Sequence, residues 1–421
     1  MEYCKRCVYP ANARPGILFD EEGVCSGCRL IEKRLNMDFR VREKELVELL
    51  REYQARQREK GNPFDCIIPV SGGKDSTYQT WLVKEKYGLN PLCVCYNHTF
   101  NTALGLRNLE NLIQRLDVNL VRFTTAPGSA VRMAKHMLKL VGDITWHYHA
   151  GIMTFPIRAA VMYDVPLVVW GEEGFSDLVG MYDQDDMVEF TKKKRQEHSM
   201  RGFEPEDLLA APDCPLTAYD LAPFFYPTDE QLEQVGVRGI YLSNFIRWDN
   251  YAQTRFVIEN LGFETAQARE RTPNIYAKLD DIHANGTHDY LKYLKFGYGR
   301  ATDDVSTDIR YGRMTREEGI DYVARMDPVR PRDLDIFLRA AGMTEQELLD
   351  LVEPMRDPAI WRRNEAGVWE VRDSVANHRH DPGVDAARMP LNPDTPPILP
   401  TEERVSSHCR QLDEQTEYVV L

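Results

Sequence analysis

The 421-residue sequence contains no apolar run approaching the roughly 18 residues that a membrane-spanning helix requires. Its first residues, "MEYCKRC", also lack the hydrophobic core of a signal peptide. These two absences lead us to expect a cytoplasmic protein without a membrane partner. A basic excess is missing too: 52 lysines and arginines stand against 66 aspartates and glutamates, a net charge of −14, and no stretch gathers positive charge on one face. That balance disfavours nucleic acid as a partner, because phosphate backbones bind clustered cations. No internal repeat is visible.

What is present is globular. A hydrophobic content of 43% is ample for a large core, and the length predicts two or three domains. Residues 1–28 hold four cysteines between turn-forming prolines and glycines and have few apolar residues, so something other than a core must staple them. Residues 29–60 are charged, with Leu46, Leu49 and Leu50 at helical spacing. From Asp65 the rhythm changes. "DCIIPV" (65–70), "PLCVCYN" (91–97), "NLVRFTT" (119–125) and "VPLVVWG" (165–171) read as buried strands, separated by helical patterns over 75–87, 103–116, 127–141 and about 150–163. Such alternation predicts an α/β fold, a doubly wound parallel sheet. Pro69 must then lie where strand pairing ends, since proline cannot donate to the ladder.

After about residue 190 one strand candidate remains, "GIYLSNF" (239–245), and helices dominate, with capping boxes at Thr315/Glu318 and Thr344/Glu347. Six prolines from Pro382 to Pro400 mark a tail or wrapping arm. The expected organisation is a cysteine module with linking helices (1–60), the sheet domain (61–250), a helical region (251–360) and the tail (361–421).

"VSGGKDS" (70–76) sits between the first strand and the first helix of the sheet domain. It is not a Walker A loop: with Gly73 and Lys74 aligned on that motif, Ile68 stands where its first glycine belongs and Asp75 where its hydroxyl belongs. It resembles the pyrophosphate loop of the ATP pyrophosphatases, which split ATP between the α and β phosphates. The chemistry agrees. Gly72 and Gly73 let backbone amides close around phosphate oxygens at a helix N-terminus; Lys74 adds a charge, and Ser71 and Ser76 add hydroxyls. Asp75 cannot bind an anion, so it faces Mg²⁺ or caps the helix.

Cys4, Cys7, Cys25 and Cys28 form C-x₂-C-x₁₇-C-x₂-C, the spacing of a closed, structural zinc site. An iron–sulfur cluster or disulfides are the alternatives. Cys66, Cys93 and Cys95 read as buried strand residues; Cys214 and Cys409 are isolated.

These knuckles and this loop, followed by "YNHTFNTALGLRNLENL", "HAGIMTFPI", "VVWGEE" and "YGRATDDVSTDIRYGRMTREEGI", together resemble the N-acetyl sugar amidotransferases of lipopolysaccharide, flagellin and nonulosonic acid pathways. The resemblance runs from about residue 1 to 350. It implies an adenine nucleotide alpha hydrolase-like fold and a reaction in which ATP adenylates the acetamido oxygen of a nucleotide-linked N-acetyl sugar and ammonia then gives an acetamidine. It further implies ATP, Mg²⁺ and structural Zn²⁺, with ammonia from a separate glutaminase and a channel subunit, since no cysteine here sits in a nucleophile elbow. Members of that family often carry "CWHCHAG" where this chain has "TWHYHAG", so Thr145 and Tyr148 replace two cysteines.

Further candidates follow the strand ends. Gly171 and Glu172, at the carboxyl edge of the fourth strand beside Glu173, suit a nucleotide and its Mg²⁺; a solvated loop acid is the alternative. Asn97 and His98 end the second strand and could reach adenine or ribose, or be structural. His147 and His149 are read as substrate or ammonia groups rather than metal ligands. Arg300, Asp303, Arg310 and Arg313, with Asp308, lie in a polar stretch read as a loop, to bind a sugar diphosphate or to form an ion-pair network. "KKKR" (192–195) reads as a solvated helix face. The rival functions are a tRNA or small-molecule thiolase, an amidine-forming enzyme for a natural-product amide, and a scaffold with a dead nucleotide fold.

Overall fold

The computed structural model describes residues 1–265, 271–273 and 282–388. Five apolar segments, β1 (Cys66–Pro69), β2 (Pro91–Asn97), β3 (Asn119–Thr124), β4 (Leu167–Trp170) and β5 (Arg238–Tyr241), form one parallel sheet in the order β3-β2-β1-β4-β5. Side chains alternate across it. Cys66, Ile68, Cys93, Cys95 and Val169 face Leu46 and Leu50 of α2 (Phe39–Lys60), which follows α1 (Ser26–Leu35), Leu109 and Leu112 of α4 (Ala103–Leu116), and Val257 and Ile258 of the Asn250–Leu261 helix. Ile67, Leu92, Val94 and Val168 face Met133 and Met137 of α5 (Pro127–Val141) and Ile157 and Ala160 of α6 (Trp146–Tyr163). Burial on both faces explains why the central strands read as continuous apolar runs. Edge strand β3 has exposed and half-buried positions instead.

The expected doubly wound sheet is what forms. β2, α4 and α5 occupy the predicted residues, and Pro69 is the last residue of β1. Chain order reverses between β1 and β4, which places a crevice outside their carboxyl ends. Helices α3 (Lys74–Trp81) and α7 (Gly174–Val179) begin there. α6 starts at Trp146, earlier than predicted, so His147 and His149 are helical.

Three expectations change. The polar 300–313 stretch is not a loop: Arg300–Arg310 is a helix whose Asp303, Asp308 and Arg310 are buried, because partners from distant segments neutralise them. Of "KKKR", Lys194 and Arg195 are buried, paired with Glu173 at 2.6 Å and with Glu204 at 2.5 Å. Residues 1–28, besides the cysteines, contribute Tyr3, Val8, Tyr9, Ile17 and Val24 to a core shared with Ala301, Val305, Ile309, Ile320 and Val323. Both capping boxes form, opening the Arg316–Met326 and Glu345–Val352 helices. In the predicted tail, Trp361–Arg363 and Trp369–Val371 pair as an antiparallel hairpin. The prolines from Pro390 onward and Cys409 lie outside the described residues. Among the described residues no helix is long and apolar enough to cross a membrane.

Candidate functional site

The loop after β1 is built from within. Ser71 Oγ accepts from Gly73 N–H at 3.1 Å. Ser76 Oγ accepts from Ser71 N–H at 3.3 Å and donates to the Gly73 carbonyl at 3.0 Å, and Thr77 Oγ1 donates to the same carbonyl at 3.0 Å. Gly72 has φ +86°, and a Cβ there would lie 2.8 Å from Leu109 Cα on α4, so glycine is required twice over. Gly73 caps α3, whose first amides have no partner within the helix, and Gly73, Lys74, Asp75 and Ser76 line the crevice. Lys74 is buried, its Nζ 2.6 Å from Asp75 Oδ2 and 3.3 Å from Asn250 Oδ1.

Across the crevice, Gly171 lies where a Cβ would meet the Trp248 ring at 2.7 Å. The two glutamates that follow have different tasks. Glu173 is buried, caps α7 by accepting from Ser176 N–H at 2.6 Å, and pairs with Lys194. Glu172 lines the crevice. A cavity of about 390 Å³ joins these parts: its wall includes Ser71, Gly73, Lys74, Asp75 and Ser76, then Gly171 and Glu172, and on α6 His149. Asp75 and Glu172 both line this cavity, and carboxylate oxygens are the ligand type that a hard divalent cation such as Mg²⁺ takes.

His147 and His149 diverge from the same helix. His149 lines the cavity, with Nδ1 3.4 Å from Thr145 Oγ1. His147 is fully buried, and neither ring nitrogen meets a hydrogen-bond partner among the described residues. Burial and the neighbouring His98 and His149 hold it well below the usual imidazole range. Asn97 and His98 do not line the cavity. Asn97 instead accepts from Thr99 N–H at 3.2 Å and Asn101 Nδ2 at 2.7 Å, and donates to Thr124 Oγ1 at 3.0 Å, which steadies Thr99 at φ +74°. Burial pushes His98 down to about 4.

Arg300, Asp303, Arg310 and Arg313 also stand away from this cavity. Arg300 Nε donates to Asp289 at 2.9 Å; Asp303 accepts from the Tyr9 hydroxyl at 2.6 Å and Lys292 at 2.5 Å. Arg313 pairs with Asp249, the residue that caps the Asn250–Leu261 helix beside Lys74.

Arg310 reaches the four cysteines. The Sγ atoms of Cys4, Cys7, Cys25 and Cys28 all lie within 4.8 Å of one another, with Cys4–Cys28 at 3.9 Å and Cys7–Cys25 at 3.6 Å. A zinc ion bound at ~2.3 Å sets tetrahedral sulfurs about 3.8 Å apart, so the cluster fits that ion. Complete burial leaves no open position, which suits a structural role. Cys7 and Cys25 N–H donate to Cys4 Sγ at 3.4 and 3.3 Å. Arg310 Nη2 approaches Cys7 and Cys25 Sγ at 3.9 and 3.6 Å, while its Nη1 donates to the Asp177 and Leu178 carbonyls of α7 at 3.0 and 2.8 Å. The cysteine module is thus tied to the helix that follows Glu173.

Sequence reasoning missed several supports of the site. Asn250 holds Lys74, and Gln79 donates to the Val169 carbonyl at 2.5 Å under the cavity floor. Asn108 exchanges hydrogen bonds with the Glu264 backbone at 2.9 Å in each direction. None carries a local motif; only a polar residue within an apolar helical pattern hints at such a role.

Residues 248–375 match the family described as LPS biosynthesis protein WbpG-like, C-terminal domain. An uncharacterised protein of Methanocaldococcus jannaschii is 30% identical over 118 residues, 28% of this chain and 41% of that protein, so the match spans less than half of its length. Among solved structures, an NMN synthetase from Francisella tularensis shares 14% identity over 52% of this chain and 97% of its own, with a TM-score of 0.26. An NH3-dependent NAD synthetase from Campylobacter jejuni shares 11% over 47% and 92%, also with a TM-score of 0.26. A U34-tRNA thiolase from Methanococcus maripaludis shares 13% over 56% and 71%, with a TM-score of 0.22. Residues 248–375 are therefore similar to the WbpG-like LPS biosynthesis C-terminal domain, in a chain that also carries a five-stranded parallel sheet and a four-cysteine cluster.

Proposed function

We propose that the protein is an ATP-dependent amidotransferase that converts the acetamido group of an N-acetyl sugar, carried on a nucleotide, into an acetamidine. The observation that carries this reading is the shared cavity: the Ser71–Ser76 loop forms one wall, and Glu172 and His149 line the rest of the same space. Loop amides and Lys74 bind the β and γ phosphates as one leaving pyrophosphate. The acetamido oxygen attacks the α phosphorus, an O–P bond forms, and the bond to pyrophosphate breaks. Ammonia then attacks the activated carbon; the C–N bond forms, the C–O bond breaks, and AMP departs with the oxygen. Asp75 and Glu172 would hold Mg²⁺, which supplies charge neutralisation for the phosphates. The nitrogen source in this scheme is a separate glutaminase, delivered directly or through a channel subunit.

The test is incubation with ATP, ammonium and a panel of acetamido sugars, followed by nucleotide analysis and mass spectrometry. AMP, pyrophosphate and a product in which NH replaces oxygen are expected. ADP and free phosphate would refute the reading, and replacement of oxygen by sulfur from a thiol donor would move the protein to the thiolases.

A further inference from the structure

The N-terminus of α6 carries a hydrogen-bonded chain that ends at the cavity. Asp143 is buried; burial alone would raise its carboxyl, but Arg201 and His288 beside it hold it well below the usual carboxylate range. As a carboxylate it can only accept. It accepts from Thr145 N–H and from Thr145 Oγ1–H, both at 2.7 Å, and its other oxygen lies 3.1 Å from His288 Nδ1. The single hydroxyl hydrogen of Thr145 is therefore committed to Asp143. Its oxygen remains an acceptor, and two imidazole nitrogens stand before it: His288 Nδ1 at 3.2 Å and His149 Nδ1 at 3.4 Å. Both nitrogens must carry hydrogen to bond there.

From this geometry we infer that Asp143 and Thr145 lock His149 as its Nδ1–H tautomer, leaving the Nε2 lone pair for the cavity to accept the proton that the attacking ammonia must lose. The inference rests on the amidotransferase reading for its substrate, not for its tautomer. When ammonia adds to the activated carbon, the new C–N bond leaves a positively charged nitrogen. One N–H bond breaks, its electrons return to nitrogen, and the proton passes to His149 Nε2. Burial, Arg201 and His288 push His149 down to about 3, with Asp143 alone opposing them, and the neutral His147 is its helical neighbour. The ring is thus unprotonated at neutral pH. The positive charge and the further electronegative atoms on the adjacent carbon acidify the nitrogen that gives up this proton. Asp143, Thr145 and His288 are positioning residues: they do not line the cavity, and act by fixing which nitrogen of His149 is bare.

Full-length protein labelled with ¹⁵N-histidine tests this without any substrate, the His149 resonances being assigned from a His149→Asn variant. The wild type is expected to show a protonated Nδ1 and a bare Nε2 at pH 7.5. Thr145→Val should release that preference and Thr145→Ser should keep it. A protonated Nε2 in the wild type, or an unchanged tautomer in Thr145→Val, would overturn the inference. In turnover with ammonium, Thr145→Val should slow the ammonium-dependent step roughly tenfold or more, with recovery in Thr145→Ser; equal rates in all three proteins would also overturn it. A wild type that shows the expected tautomer but never consumes ATP would count against the proposed function alone.

Discussion

Replacing Arg310 by methionine separates two readings of that residue. Its guanidinium is fully buried, its Nη1 bonded to the Asp177 and Leu178 carbonyls and its Nη2 directed at Cys7 and Cys25 Sγ. Methionine keeps much of the volume and removes every donor. Two buried carbonyls left without a partner cost about 1–3 kcal/mol each. Removing an outer-shell donor to metal-bound sulfur lowers metal affinity by roughly 10–100-fold. The carbonyls account for about 2–6 kcal/mol and the affinity loss for about 1.4–2.7 kcal/mol, together about 3–9 kcal/mol, a large share of the ~5–15 kcal/mol that holds a typical domain. The assays are urea unfolding of the zinc-saturated protein and zinc transfer to a chromogenic chelator. Arg310→Met should unfold at lower urea and surrender zinc faster. Stability within about 1 kcal/mol of the wild type, together with unchanged zinc transfer, would refute this account. If a raised KM for the sugar were the sole defect, Arg310 would be a substrate ligand, as the sequence left open.

Two further perturbations test other parts. Gly72→Ala places a side chain at φ +86° and against the α4 backbone; the conformation alone costs roughly 1–2 kcal/mol, so both urea stability and ATP affinity by calorimetry should fall, whereas Gly16→Ala, which meets open space, should change neither. Acidification should destabilise the fold before the carboxylates titrate. Burial pushes His98, His149 and His283 down to about 4, 3 and 4, so the folded state stays unprotonated where the unfolded state binds protons. Stability should therefore decline as pH falls below about 6.5, by at most ~1.4 kcal/mol per pH unit for each histidine. A urea midpoint that stays flat from pH 7 to pH 5 would contradict this.

The sheet was legible because its signals are local. Apolar runs of strand length separated by helical periodicity placed β2, α4 and α5 at their observed residues, and two glycines between a strand and a helix located the loop. The 300–313 segment was not legible. Its acids and arginines read as a polar loop that binds a sugar diphosphate or forms an ion-pair network; the network is what forms, but on a buried helix, because local polarity cannot distinguish a wet loop from a helix whose charges are neutralised by Tyr9, Asp249 and Asp289 on docking. "KKKR" misled in the same way, its last two residues being buried against Glu173 and Glu204.

By itself the sequence determined the strand and helix rhythm, the loop that demands glycine at Gly72, and four cysteines at metal-binding spacing, since each depends on neighbours within a few residues or on one repeated chemical type. Only the tertiary structure decided which of two adjacent glutamates faces the cavity, that Arg310 serves the cysteines, and that Asp143 and His288 meet at Thr145. Those outcomes depend on elements far apart in the chain arriving at the same point, where burial makes every donor and charge find a partner.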